Sequence, residues 1–65
     1  MDRNIADQTT EHLALLIGEI MEDHVHLAIS APLSAGAIKR LGQASEDIGR
    51  LAAAMEVVAR RAETA

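Results

Sequence analysis

The chain has 65 residues and a formal net charge of −4, and although 49% of its residues are hydrophobic it contains no cysteine and no aromatic residue. A chain of this length forms one small domain whose core supplies roughly 3–5 kcal/mol, so oligomerisation, a metal or disulfides usually complete the fold. The lack of cysteine excludes disulfides and thiolate metal or redox sites, and the lack of aromatic residues excludes stacking platforms for single-stranded nucleic acids.

The first predicted element is an α-helix over about residues 7–29. Apolar residues recur in this segment at alternating spacings of three and four, which is typical of a helix with one buried stripe. The aliphatic side chains of the stripe are Leu13, Leu16 or Ile17, Ile20 and Leu27. His24 takes the position between the last two, so one ionisable side chain stands in an otherwise aliphatic stripe.

Two roles are open for His24. A polar residue at a seam position of a helical bundle commonly sets register, and a neutral imidazole can be satisfied by Ser45 or by His24 of a second copy. Alternatively, His24 is a metal ligand or a proton-sensitive switch, because histidine titrates near neutral pH and is the commonest metal ligand. A metal site needs three or four ligands and the stripe offers one, so the sequence favours the register role.

Acidic residues cluster on the other side of the first helix, and residues 1–30 carry six acids against one base, a formal charge of −5. Asp23 and His26 have the i, i+3 spacing of carboxylate-and-histidine metal sites in bundles, but the second helix offers no matching Glu-x-x-His. The sequence therefore predicts a solvated acidic face that serves as the contact surface for a protein partner. Its residues are Glu11, Glu19, Glu22, Asp23 and His26.

A turn is predicted within about residues 29–34, because Pro32 disfavours helical angles at the residue before it, Ala31. Ser34 is a suitable N-cap for a second helix, and Leu33 and Ile38 then occupy the two positions of a hydrophobic staple. Pro32 could instead lie in the first turn of that helix. In both cases the connection is short enough to make the two helices an antiparallel hairpin.

The second predicted helix covers about residues 34–63, and its apolar stripe continues for almost four heptads without a charge. Three apolar positions per heptad need more than one neighbouring helix, and a stripe about 40 Å long exceeds the apolar patch of a soluble monomer. We therefore predict an all-α single domain, residues 1–65, that dimerises into a four-helix bundle. The predicted oligomer interface consists of Leu13, Ile17, Ile20, His24, Leu27, Leu41, Ile48, Leu51, Met55 and Val58.

Two glycines, Gly42 and Gly49, lie one heptad apart beside this stripe, near Ala35 and Ala53. Each costs up to about 1 kcal/mol relative to alanine in a helix interior. They form either a groove for the close approach of another backbone or two tolerated positions on a solvated face. Isolated glycines are weak signals, so the sequence favours the second interpretation.

Residues 19–28, EIMEDHVHLA, resemble the end of the second helix in the small all-helical repressors that sense copper, nickel or formaldehyde. The resemblance implies that His24 is a ligand in a metal- or small-molecule-responsive regulator. This chain departs from the family at Ala28, where a second Cys or His ligand is expected, and it lacks the upstream cysteine and basic first helix. In size and plan it is also similar to plasmid RNA-binding helical-hairpin dimers, a likeness of architecture that assigns no residues.

The remaining function classes are limited by what the sequence lacks. It has no Gly-rich phosphate loop and no nucleophile-elbow serine, and its Lys and Arg alternate with acids, so neither catalysis, a cofactor nor nucleic-acid binding is expected. No signal peptide or membrane span is recognisable, which favours a cytoplasmic protein. The sequence therefore predicts a non-enzymatic, self-associating interaction or regulatory module that binds a protein partner. The alternative is a metal- or small-molecule-responsive regulator that uses His24.

Overall fold

The computed structural model of the chain describes residues 2–29 and 32–64, which form two α-helices packed together as a hairpin. Helix α1 spans Arg3–Ile29 and helix α2 spans Ala35–Thr64. The predicted all-helical hairpin is confirmed, although part of the predicted turn, including Ala31, lies outside the described residues. Over the described part of the chain, neither helix has the length of apolar sequence that a membrane crossing requires.

Helix α1 begins about four residues before the predicted start. Asp2 is its N-cap: Oδ1 accepts a hydrogen bond from Asn4 N–H at 2.7 Å, and the Asp2 carbonyl accepts one from Ala6 N–H at 2.9 Å. Threonines are poor helix formers, but the hydroxyls of Thr9 and Thr10 donate to carbonyl oxygens one turn earlier, at 2.8 and 3.0 Å. The extra turn adds Ala6 to the contact with α2.

Helix α2 begins with the cap that the sequence predicts. Ser34 Oγ accepts a hydrogen bond from Ala37 N–H at 3.0 Å, and the Ser34 carbonyl accepts one from Ile38 N–H at 3.0 Å. Pro32 lies in a bend before the helix, so its alternative placement in the first helical turn is wrong. The two side chains of the predicted staple, Leu33 and Ile38, are both exposed.

The two helices meet along one heptad stripe on each, which we call the seam. Among the described residues, Ala6 and Ala44 are buried, with exposures of 2% and 7%, and no large side chain is fully buried. Two short side chains at these positions let the backbones of the helices approach closely. The other seam positions are half-buried: Thr10, Leu13, Ile17, Ile20, His24, Leu27, Ala37, Leu41, Ile48, Leu51, Met55, Val58 and Ala62.

The hairpin is long and thin, with extents of 49 × 15 × 11 Å. Its radius of gyration is 15.1 Å, whereas a compact domain of this length has about 11 Å. Its accessible surface is 4984 Å², about 1,000 Å² more than the roughly 4,000 Å² typical of a folded monomer of 6.9 kDa. The isolated hairpin therefore leaves more surface in water than an independent domain of its mass.

Candidate interaction surfaces

The ten residues predicted to form the oligomer interface all lie on the seam, and all are half-buried. The structure uses them to join α1 to α2 of the same chain, whereas the sequence assigned them to a contact between chains. One helix covers such a stripe from one direction only, so part of each side chain stays in water. These residues are Leu13, Ile17, Ile20, His24, Leu27, Leu41, Ile48, Leu51, Met55 and Val58.

His24 is satisfied within its own helix. Its Nδ1 lies 2.7 Å from the carbonyl oxygen of Ile20, one turn earlier. A carbonyl oxygen only accepts, so Nδ1 carries the proton in this hydrogen bond, and Nε2 of the neutral ring is then an acceptor. Ser45, one of the two partners considered for this imidazole, is exposed on α2. His24 also lines a shallow groove of about 410 Å³ together with Leu41 of α2.

Metal-ligating side chains are sparse around His24. Within residues 2–29 and 32–64, no three side chains from His, Cys, Asp and Glu are placed to hold one metal ion. Asp23 and His26, the pair with metal-site spacing, are both exposed on α1. The role of His24 as a ligand stays a prediction.

The predicted acidic surface is brought together only in part. Glu11, Glu19 and Glu22 surround an open groove of about 590 Å³ on α1, and its apolar floor includes Leu15 and Gly18. The remaining members of the predicted surface, Asp23 and His26, do not line this groove. The structure therefore combines three carboxylates with an apolar strip.

The outer side of α1 carries large apolar side chains that the sequence reasoning missed. Leu15, Met21, Val25 and Ile29 are between 56% and 78% exposed. Apolar residues therefore alternate with the acids on this side of α1, and the acidic contact surface stays a prediction. Met21 and Val25 belong to a second series with spacings of three and four that is displaced by one position from the first, and this series could have revealed them. Leu15 and Ile29 lie two positions after Leu13 and Leu27 and are outside that series.

This second series and its counterpart on α2 form what we call the open face. Each of its positions follows directly after a seam position, as Ala14 follows Leu13 on α1 and Ser45 follows Ala44 on α2. Nine of the ten are exposed and Gly18 is half-buried. The open face consists of Ala14, Gly18, Met21, Val25 and Ala28 on α1 and of Ile38, Gly42, Ser45, Gly49 and Ala52 on α2.

Both halves of the open face lie on one side of the hairpin. In an antiparallel pair of right-handed helices, residues that follow the seam positions flank the seam on the same side in both helices. The grooves agree with this geometry: near the turn, Met21 and Ala28 share a groove with Leu41, and near the chain termini Asp7 shares one with Ala59. The ten residues therefore make one continuous surface that carries no formal charge.

The glycines of the open face are not required by the fold of the hairpin. A Cβ atom placed on Gly18, Gly42 or Gly49 has no atom of the other helix within 4 Å, and no side chain other than those of its two chain neighbours. Glycine in a helix interior is unfavourable by about 1 kcal/mol relative to alanine, so packing within one chain offers no compensation for these residues. Because glycine has no side chain, the backbone itself forms the surface of the open face at these positions. Another backbone could therefore approach it closely.

The opposite side of the hairpin is charged. Residues directly before seam positions include Asp23 on α1 and Arg40 and Asp47 on α2. Asp47 Oδ1 lies 3.6 Å from Arg50 Nη1 in an exposed i, i+3 ion pair, which contributes little to stability. The two sides of the hairpin therefore differ in charge, because the opposite side carries charged residues beside apolar ones such as Ile5 and Val57 and the ten open-face residues carry none.

Comparison of the chain with protein-family models, with curated proteins and with solved structures found no significant match. Its interaction surfaces are therefore assigned from its own geometry.

Proposed function

We propose that the protein is a non-enzymatic interaction or regulatory module whose hairpin self-associates into a four-helix bundle and presents an acidic surface to a protein partner. The observation that carries the proposal is the surplus of about 1,000 Å² of accessible surface on one hairpin. A stable protein–protein interface removes about 800 Å² from each partner. Pairing two hairpins through their apolar sides is therefore large enough to remove most of the surplus.

The surface offered to another protein is the outer edge of α1. Leu15, Glu19 and Glu22 lie there and line the part of the groove described above that is farther from the seam. An apolar side chain among carboxylates favours a partner segment that presents aliphatic residues flanked by Lys or Arg. The formal charge of −5 on residues 1–30 adds attraction for such a basic segment.

Self-association is tested by light scattering on a size-exclusion column at concentrations from about 1 to 100 µM. We expect the mass of two chains of 6.9 kDa, and a decrease in helicity when the protein dissociates on dilution. A fully helical protein with the mass of one chain throughout this range contradicts the proposal.

Partner binding is tested by capture from an extract of the native host on immobilised protein. The double variant Glu19→Lys with Glu22→Lys reverses the charge of the proposed surface, and we expect it to lose the captured protein. Glu46→Lys makes the same change at an exposed position of α2 and serves as the matched control. If the double variant and Glu46→Lys both still bind the protein that the wild type captures, the acidic surface is not the binding site.

A further inference from the structure

We propose that a second copy of this chain covers the open face in an antiparallel orientation, with each helix packed on its own equivalent and the twofold axis passing near Met21 and Ser45. This arrangement rests on the self-association proposed above and adds which surfaces meet and in which direction.

Two twofold arrangements bring open face against open face. If the axis runs along the helices, both turns lie at the same end of the bundle and α1 packs on α2 of the other copy. If the axis runs across the helices, the hairpins are antiparallel, so α1 packs on α1 and α2 packs on α2. The distribution of charge and of side-chain size discriminates between these two arrangements.

Charge favours the antiparallel arrangement. Towards the chain termini the two stripes of the open face continue into Asp7, Glu11, Glu56 and Glu63, two of which line one groove with Ala59. Arg3 lines the same groove as Asp7 and Glu63 and offsets part of their charge, but the four carboxylates remain in excess. An axis along the helices brings this excess of negative charge in the two copies together, which is unfavourable where water is excluded. An axis across the apolar part moves Asp7 and Glu63 beyond the turn of the other copy and into water, and it places Glu11 and Glu56 opposite that turn.

Side-chain sizes on α2 are complementary in this orientation. The open-face residues of α2 are arranged almost symmetrically about Ser45. When α2 is laid antiparallel on itself about that point, Ile38 faces the partner subunit's Ala52 and Gly42 faces the partner subunit's Gly49. A large side chain then meets a small one, and two glycines meet where the backbones approach most closely.

The open-face residues of α1 are likewise arranged almost symmetrically about Met21. Laid antiparallel on itself, α1 places Ala14 opposite the partner subunit's Ala28 and Gly18 opposite the partner subunit's Val25. Small residues again face each other or face a larger one, and the flexible Met21 meets its equivalent at the axis.

Met21 on α1 and Ser45 on α2, the central residues of the two symmetric patterns, lie at the same height along the hairpin. A single twofold axis that crosses both helices requires this. Residues of α1 and α2 that line the same groove across the seam have numbers that add up to between 62 and 73. Such pairs include Ala6 with Ala62, His24 with Leu41, and Ala28 with Leu41. Met21 and Ser45 satisfy the same relation, although each was identified from the pattern of its own helix alone.

Single cysteines test the arrangement directly, because the natural chain contains none. A residue on a twofold axis meets its own equivalent, and a disulfide forms when two Cα atoms are within about 7 Å. Under mild oxidation we expect Ser45→Cys and Met21→Cys each to give a covalent dimer on a non-reducing gel. Gln43→Cys, which is exposed on the charged side of α2, is the matched control and should remain a single chain.

The outcomes separate this inference from the self-association on which it rests. If neither variant links alone but a mixture of Ser45→Cys and Met21→Cys does, the axis runs along the helices and the inference is wrong. The inference is also wrong if light scattering shows a dimer but no disulfide forms in Ser45→Cys, in Met21→Cys or in their mixture. Self-association is then still supported. A monomer in light scattering overturns both.

A larger side chain in the open face tests the arrangement independently, through the dissociation constant of the dimer. A Cβ atom on Gly49 has open space around it, so Gly49→Leu should keep its helicity at concentrations where the dimer persists, while the larger side chain blocks the close approach of the other copy. We expect the dissociation constant of the dimer to rise by about tenfold or more, as overpacking of a close contact does. Ala54→Leu, at an exposed position on the charged side, should leave it unchanged. An unaltered dissociation constant in Gly49→Leu contradicts the inference.

Discussion

Replacing His24 with leucine should stabilise the protein. His24 is half-buried on the seam between Ile20 and Leu27, and its Nδ1 donates to the Ile20 carbonyl at 2.7 Å. The substitution removes that hydrogen bond without leaving the carbonyl oxygen unsatisfied, because in an α-helix the same oxygen also accepts the backbone N–H of residue 24. An aliphatic side chain of similar volume then continues an aliphatic stripe.

The expected gain is about 1 kcal/mol per chain. Losing a neutral hydrogen bond costs about 0.5–1.5 kcal/mol net. Burying a leucine in part contributes about 1–2 kcal/mol, and its higher helix propensity adds a few tenths. Removing a partly desolvated imidazole contributes about 0.5 kcal/mol or more. In a domain of this size, 1 kcal/mol corresponds to a rise in Tm of roughly 4–8 °C.

The measurement is thermal and urea unfolding followed by far-ultraviolet circular dichroism, since the chain has no tryptophan. His12→Leu is the matched control: His12 is exposed on α1 away from the seam, and its replacement should change stability by less than about 0.5 kcal/mol. Each melt is repeated with zinc, copper or nickel added. We expect no metal to raise the Tm of the wild type beyond a weak surface effect.

Two results would refute this reasoning. A loss of more than about 1 kcal/mol in His24→Leu would show that the imidazole makes a contact which the hydrogen bond to Ile20 does not explain. A rise of about 10 °C in the wild type at near-stoichiometric metal, absent in His24→Leu and retained in His26→Ala, would show that His24 is a ligand. The metal-responsive regulator would then become the leading function.

Three further predictions follow from the fold. Ala44→Leu should destabilise the hairpin by about 1–3 kcal/mol in urea unfolding, because Ala44 is 7% exposed, while Ala54→Leu at an exposed position should not. Ser34→Ala should cost about 0.5–2 kcal/mol in the same assay and should be rescued by Ser34→Asp, which restores a cap oxygen for the Ala37 N–H. In gel-shift titrations at moderate salt we expect no binding of duplex DNA or structured RNA, and a steeply salt-dependent shift at micromolar concentration would contradict this.

The stripe on each helix was determined by the sequence alone. The three-and-four spacing from Leu13 to Leu27, and from Leu41 to Val58, predicts the seam because a helix turns 100° per residue whatever its surroundings. Ser34 was predictable as a cap for a similar reason, since its hydroxyl reaches a backbone N–H only three residues away.

The first turn of α1 was not predicted, because its stability depends on contacts that are invisible in the pattern. The carbonyl oxygens of Ile5 and Ala6 in this turn accept hydrogen bonds from the hydroxyls of Thr9 and Thr10, which lie within the predicted helix. Ala6 carries little hydrophobic signal, yet it is 2% exposed because α2 lies against it. Burial of a small residue is a property of the pair of helices and not of either one.

Only the tertiary structure shows which apolar residues beside the predicted stripe stay exposed and form a surface together. The spacing places Ile17 on the predicted stripe and Met21 beside it, and the structure shows that α2 half-covers the first and leaves the second exposed. A single helix has no preferred side until another helix packs on it, and the antiparallel connection then sets which flanks of the two helices lie together. The open face therefore exists only in the hairpin, because it combines residues of two helices that local sequence patterns do not relate.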